Sequence, residues 1–233
     1  MNKQCFYFER YLLQTIASTR LQYPQAYRLN RRLVLYGLFL CITLALGGCA
    51  DEQSRFAPID KNSVIVAFGD SLTQGTGAKS TESYPAILAE LSGHKVVNAG
   101  VAGEVSKKGL ARLPEILSNH NPTLVILCHG GNDLLRKLGV EQLKENLVEM
   151  IRQIQERGAQ VLLVGVPKPS LLLGPASVYQ ELENEHALVS ELDIISTVLA
   201  KAGLKSDPVH PNAAGYRKIA EAIHKRLSDA GAY

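Results

Sequence analysis

An α/β fold with a central parallel sheet is predicted by three observations. Short apolar runs alternate with segments of helical spacing from about residue 60 onward. Glycine and polar residues cluster where those runs stop, at Gly69-Asp70-Ser71, Gly100 to Gly103 and Gly130 to Asp133. The composition is 46% hydrophobic with no tryptophan and five phenylalanines, an aliphatic balance that suits a sheet covered by helices.

Taken in order, Ser63–Phe68 is β-branched and apolar and reads as a buried strand. Tyr84–Leu91 has helical spacing with Pro85 in its first turn. Lys95–Asn98 is a second strand, Gly109–Ser118 a helix and Leu124–Cys128 a third strand. Val140–Arg157 is the clearest helix, because Leu143, Leu147, Met150, Ile151 and Ile154 share one face and Gly158 closes it. Gln160–Val166 is a fourth strand, followed by a looser stretch opened by Pro167 and Pro169. A helix through His186, a short strand at Leu188-Val189 and an amphipathic helix over Asn212–Leu227 complete the expectation. In such sheets, ligands bind outside the carboxyl ends of the strands.

Charge separates the chain into two parts. Six basic residues and one acid lie in residues 1–48, leaving 19 basic and 21 acidic side chains beyond, so the overall +3 belongs to the N-terminal segment. No basic stripe marks the body, which argues against nucleic acid as a partner. The four cysteines form no CxxC pair and give no zinc signature; Cys128 reads as a small buried hydrophobe.

The stretch "RRLVLYGLFLCITLALGGCADEQ" reads as an export signal. Arg31-Arg32 precede a 14-residue apolar run, Leu33 to Leu46, which is short for a membrane span of ~20 residues. The run ends in Leu46-Gly47-Gly48-Cys49, which resembles a bacterial lipobox. That resemblance implies diacylation of Cys49 and a protein anchored in the bacterial cell envelope, facing the periplasm. Residues 1–30 are assigned no fold and residues 50–61 are read as a tether.

The segment "VIVAFGDSLTQGTGAKS" poses a choice between a phosphate cradle and a turn presenting a nucleophilic serine. The P-loop pattern fails, because Ala78 separates Gly77 from Lys79. A serine needs a base, and an imidazole needs a carboxylate to fix its tautomer. "SDPVHPNAAGY" supplies Asp207 and His210 three residues apart on a proline-stiffened loop. Acyl transfer also needs donors for the developing oxyanion. The Gly103 amide, the Asn132 side chain and the Ser71 amide are the candidates.

The four blocks Gly69-Asp70-Ser71-Leu72, Gly103 within "NAGVAGE", Gly131-Asn132-Asp133 and Asp207-Pro-Val-His210 resemble, in order and spacing, those of the SGNH (GDSL) hydrolases, nearest to the bacterial arylesterase, thioesterase and lysophospholipase-like group. The resemblance covers roughly residues 62–230 and places the hydrolase domain at 62–233. It implies a flavodoxin-like three-layer α/β/α sandwich and chemistry with no metal or organic cofactor. It further implies Ser71 as nucleophile, His210 as base, Asp207 as its orienter, and an oxyanion hole of Gly103 and Asn132 with the Ser71 amide. The chain departs from the group at Cys128-His129, where Glu-Leu is common; His129 is expected to be structural. Asp70 and Asp133 are expected to hold the site's turns. Tyr84 and the stretch Pro169–Tyr179, with Leu171, Leu172 and Leu173, are expected to line the acyl side.

The expected activity is hydrolysis of short to medium acyl esters or thioesters, including lysophospholipids, through an acyl-enzyme on Ser71. The alternatives are an O-acetyl esterase acting on envelope polysaccharide and a non-catalytic binding lipoprotein of the envelope.

Overall fold

The computed structural model describes residues 55–168 and 174–233. The expected signal, its Cys49 and the Leu171–Leu173 run lie outside those residues.

Five strands form one sheet in the order β2-β1-β3-β4-β5: β1 Val64–Gly69, β2 Lys95–Gly100, β3 Leu124–Cys128, β4 Gln160–Val164 and β5 Val189–Glu191. All four pairings are parallel. Parallel neighbours require crossovers, and helices supply them. The helices are α1 Ser71–Gln74, α2 Tyr84–Ser92, α3 Ser106–His120, α4 Gly131–Leu135, α5 Val140–Glu156, α6 Ser177–His186, α7 Ile194–Leu199 and α8 Ala213–Asp229. α8 packs against α2 and α7, and α5 packs against α3 and α6.

The central strands are almost continuously apolar because helices cover both faces. β3 is buried along its whole length, and β1 is buried from Ile65 to Gly69. On α5, Leu143, Leu147, Met150, Ile151 and Ile154 are all fully buried, as their spacing predicts. The edge strand β2 is more open, with Lys95 and Asn98 exposed and Ala99 its one buried residue.

Among the differences from the sequence reading, three bear on the packing of the body. α7 was not expected, since Ile194, Ile195, Thr197 and Val198 are β-branched and disfavour a helix in isolation; burial of Ile195, Val198 and Leu199 overrides that preference. α3 starts three residues before Gly109 and carries Pro114 inside it. The packed body also reaches back past the boundary at residue 62: Phe56 and Ile59 are buried, and their amides donate to the carbonyls of Ala230 and Ala232 at 2.9 and 2.8 Å.

The register positions the site. Gly69 stands level with Gly100 on β2 and with Cys128 on β3, so three carboxyl ends finish side by side. From β1 the chain passes to β2 on one side and then returns to β3 on the other. A crevice opens at such a reversal.

Candidate active site

Ser71 follows that crevice edge immediately. Asp70 caps the single turn of α1, its Oδ1 accepting from the Leu72 amide at 3.1 Å. This turn follows strand β1 directly and lifts Ser71 to half-exposure while Asp70 and Leu72 stay buried.

The loop before α8 brings the partners. Ser206 donates its amide to the His210 carbonyl at 2.9 Å, closing a short turn. Asp207 Oδ1 accepts the amides of Val209 and His210 at 2.8 and 2.9 Å, which leaves Oδ2 for His210 Nδ1 at 2.7 Å. His210 Nε2 then lies 3.0 Å from Ser71 Oγ. With Nδ1–H donated to Asp207, Nε2 is free to accept the serine proton. Burial alone pushes the Asp207 carboxyl up, but the His210 ring and the two amides outweigh it and hold it below its ordinary value. It is therefore an anion beside the imidazole near neutral pH.

Two further segments carry the other candidates, and Asn132 lines the same cavity as Ser71. Gly103 adopts φ +73°, a left-handed conformation that suits glycine, and its carbonyl accepts from Arg136 Nη2 at 2.9 Å. Asn132, on α4 after β3, donates its side-chain amide to the Glu104 carbonyl at 3.0 Å and, more weakly, to Asp70 Oδ2 at 3.4 Å. The structure thus brings Ser71, Asp207 and His210 into one hydrogen-bonded chain and ties Asn132 to the loop carrying Gly103. Asp70 is buried, and that burial raises its carboxyl above the ordinary range although His129 and three hydrogen bonds oppose it. Asp133 is buried too and accepts from the Ser106 amide and hydroxyl at 2.8 and 2.6 Å, locking α4 to the start of α3.

A cavity of about 270 Å³ opens beside Ser71 and His210. Its walls include Leu72, Leu135, Val166, Leu199 and Val209. Tyr84 does not line it. That ring is buried in the core with its hydroxyl 3.1 Å from Thr73 Oγ1, because α2 turns its first residue toward the sheet. Tyr179 is likewise buried and donates to the His129 carbonyl at 2.8 Å. Cys128 is a free, buried thiol whose ionisation is pushed far up by burial, which suits the reading of a small hydrophobe.

The profile of the GDSL-like lipase/acylhydrolase family matches residues 67–218. The chain belongs to this family. Its similarity to esterase TesA of Pseudomonas aeruginosa is 30% identity over 175 residues, covering 70% of this chain and 87% of that one. The thioesterase 1/protease 1/lysophospholipase L1 of Escherichia coli K12 is 29% identical over 171 residues, covering 70% and 82%. A crystal structure of TesA superposes with a TM-score of 0.66 at 30% identity, covering 72% of this chain and 99% of that one. The five-stranded parallel sheet flanked by helices is therefore the SGNH hydrolase fold, and this GDSL protein is a serine ester hydrolase.

Sequence reasoning gave no role to Glu104 or Arg112 in this GDSL site's surroundings, and it expected His129 to be structural without finding its partners. Glu104, Arg112 and His129 form one buried cluster behind the Gly103 loop. The adjacency of Glu104 to Gly103 was visible, but Arg112 and His129 lie on other elements and no spacing connects them.

Proposed function

We propose that this hydrolase cleaves acyl esters and thioesters of short to medium chain, lysophospholipids among them, through an acyl-enzyme on Ser71. The observation that carries the reading is the Ser71–His210–Asp207 hydrogen-bond chain standing at the mouth of an aliphatic cavity. In the first half-reaction, Ser71 Oγ bonds to the carbonyl carbon and its proton passes to His210 Nε2. The amides of Ser71 and Gly103 and the Asn132 side chain stabilise the resulting oxyanion. His210 then protonates the departing alkoxide or thiolate as the carbon–oxygen or carbon–sulfur bond breaks. Water repeats the sequence on the acyl-enzyme, returning the proton to Ser71 and releasing the acid.

The wall chemistry supports an acyl chain. Each methylene buried against Leu72, Leu135, Val166, Leu199 and Val209 is worth ~0.8 kcal/mol. An O-acetyl group has no chain to use that wall, which weighs against the polysaccharide reading. Leu135, Leu138, Val140 and Val209 are exposed, with Leu135 and Val209 on the cavity wall, which fits substrates presented by a lipid phase. The lipobox-like Cys49 supports the same setting, with the protein held by its acylated N-terminus in the cell envelope and facing the periplasm.

Turnover of p-nitrophenyl acetate, butyrate, octanoate and palmitate, measured beside Ser71→Ala, tests the proposal. A serine-dependent optimum at butyrate or octanoate supports it, and a preference for acetate alone overturns the chain-length assignment. Mass spectrometry of the envelope-extracted protein tests the anchor: a diacylglyceryl adduct on Cys49, lost in Cys49→Ser, is expected.

A further inference from the structure

Behind the Gly103 loop lies a charged cluster that no step of the ester hydrolysis uses directly. Glu104 is buried, as is His129, while Arg112 is largely covered. Arg112 Nε donates to both carboxylate oxygens of Glu104 at 2.8 and 2.9 Å, and its Nη2 donates to Oε2 at 2.8 Å. That same Nη2 reaches the carbonyls of Gly69 and Ala99 at 3.1 and 2.8 Å, so one guanidinium ties Glu104 to the ends of β1 and β2. The Phe68 ring lies beneath it, 4.2 Å from the guanidinium carbon.

His129 supplies the third strand. The Gly130 amide donates to its Nδ1 at 2.9 Å, which directs the Nε2 proton at Glu104 Oε2, 3.1 Å away. Room for the ring is made by Gly109 in α3. A Cβ there would lie 2.3 Å from His129 Nε2, and glycine is otherwise a poor residue within a helix. The carboxylate of Glu104 is thus gripped by Arg112, itself tied to the ends of β1 and β2, and by His129 just past β3. Its backbone carbonyl, in turn, accepts the Asn132 side-chain amide, and its neighbour is Gly103.

We infer that Glu104, clamped by Arg112 and His129, is a positioning residue that sets the oxyanion hole by fixing the Gly103–Glu104 backbone and the Asn132 amide. The inference rests on the proposed roles of Ser71, Gly103 and Asn132. A donor must sit 2.7–3.1 Å from where the oxyanion forms. A carboxylate held by groups anchored at three strand ends ties the Gly103–Glu104 loop to the sheet. Burial favours the protonated form of Glu104, but the hydrogen bonds from His129 and Arg112 and the Arg112 charge outweigh it and hold its carboxyl down at about 2, so the pairing with Arg112 stays ionic across the working range.

The test compares Glu104→Gln and His129→Phe with the wild type on p-nitrophenyl butyrate, and measures inhibition by butylboronic acid, which adds to Ser71 and presents a tetrahedral anion to the hole. The expected result is a 10- to 100-fold fall in kcat for Glu104→Gln and 3- to 10-fold for His129→Phe, KM changing less than twofold. Boronate affinity should fall in parallel with kcat. His129→Phe removes the donor to Glu104 while keeping an aromatic ring, and keeps the test decisive where Glu104→Gln does not fold. Wild-type kcat and boronate affinity in a folded variant, or a loss confined to KM, overturns the positioning role while leaving the esterase reading intact. Turnover that survives Ser71→Ala overturns that reading itself.

Discussion

His210 Nε2 stands 3.0 Å from Ser71 Oγ across a separation of 139 residues. A serine and an imidazole at that distance act as one unit, so removing either member should cost about as much as removing both. Ser71→Ala and His210→Ala are each expected to lower kcat by on the order of 10⁴-fold or more, and the double variant to fall little further. Steady-state kinetics on p-nitrophenyl butyrate checks this. Circular dichroism should show the native fold in all three, since both side chains lie at the crevice surface.

Asp207 holds the His210 ring through Nδ1 at 2.7 Å. Asp207→Asn keeps a side chain of the same shape but presents an amide to Nδ1, which favours the tautomer with its proton on Nε2. That proton would point at Ser71, where an acceptor is needed. A fall in kcat of order 10³ to 10⁴ is expected, with KM nearly unchanged. A loss smaller than tenfold would show that solvent at this half-exposed carboxylate can substitute for it.

Glu104 also links the site to acid stability. Burial of the carboxyl opposes its ionisation, yet hydrogen bonds from His129 and Arg112 and the Arg112 charge lower it from 4.5 to about 2. A group depressed in the folded state adds stability above its unfolded value and loses that contribution as pH falls from about 4.5 toward 2. The wild type should exceed Glu104→Gln by on the order of 2–3 kcal/mol near pH 6. Urea unfolding at pH 6, 4.5 and 3 should show the difference shrinking at the lowest pH. A constant difference across that range would mean that packing, not charge, accounts for it.

Gly109 and His129 should be coupled. Gly109→Ala places a methyl 2.3 Å from the His129 ring, and overpacking of that kind costs about 1–3 kcal/mol. With His129→Ala the obstruction is gone, and the same change should become neutral or stabilise by up to ~1 kcal/mol through helix propensity. A thermal or urea double-mutant cycle reads the sign reversal.

Cavity depth should set the chain-length profile. Leu199→Trp fills space beside Leu72 and Val166. It should reduce kcat/KM for octanoate by about tenfold while sparing acetate, since each methylene kept out forfeits ~0.8 kcal/mol. Equal losses on both esters would place the acyl chain elsewhere.

The local patterns carried much of this protein. Apolar runs bounded by glycine marked the strands, because a strand covered on both faces must be apolar along its length. The Leu143–Ile154 face marked α5 for the same reason in helical period. Ser71, Asp207 and His210 were legible because each sits in a short motif whose turn chemistry is encoded in adjacent residues, Asp70 capping one turn and Asp207 ordering the other.

What the sequence could not decide is whatever depends on residues that meet only after the sheet closes. Tyr84 reads as a lining residue by position, yet packing turns it into the core beside Thr73. α7 contradicts its own β-branched preference, because burying Ile195, Val198 and Leu199 outweighs a few tenths of a kcal/mol per residue in propensity. Glu104, Arg112 and His129 come from a loop, a helix and a strand end. The sequence alone determined the chemistry on offer, since motif residues order their own turns locally. Only the tertiary structure decided which groups share an electrostatic environment, because charge acts through space and the parallel register alone brings Gly69, Gly100 and Cys128 to one level.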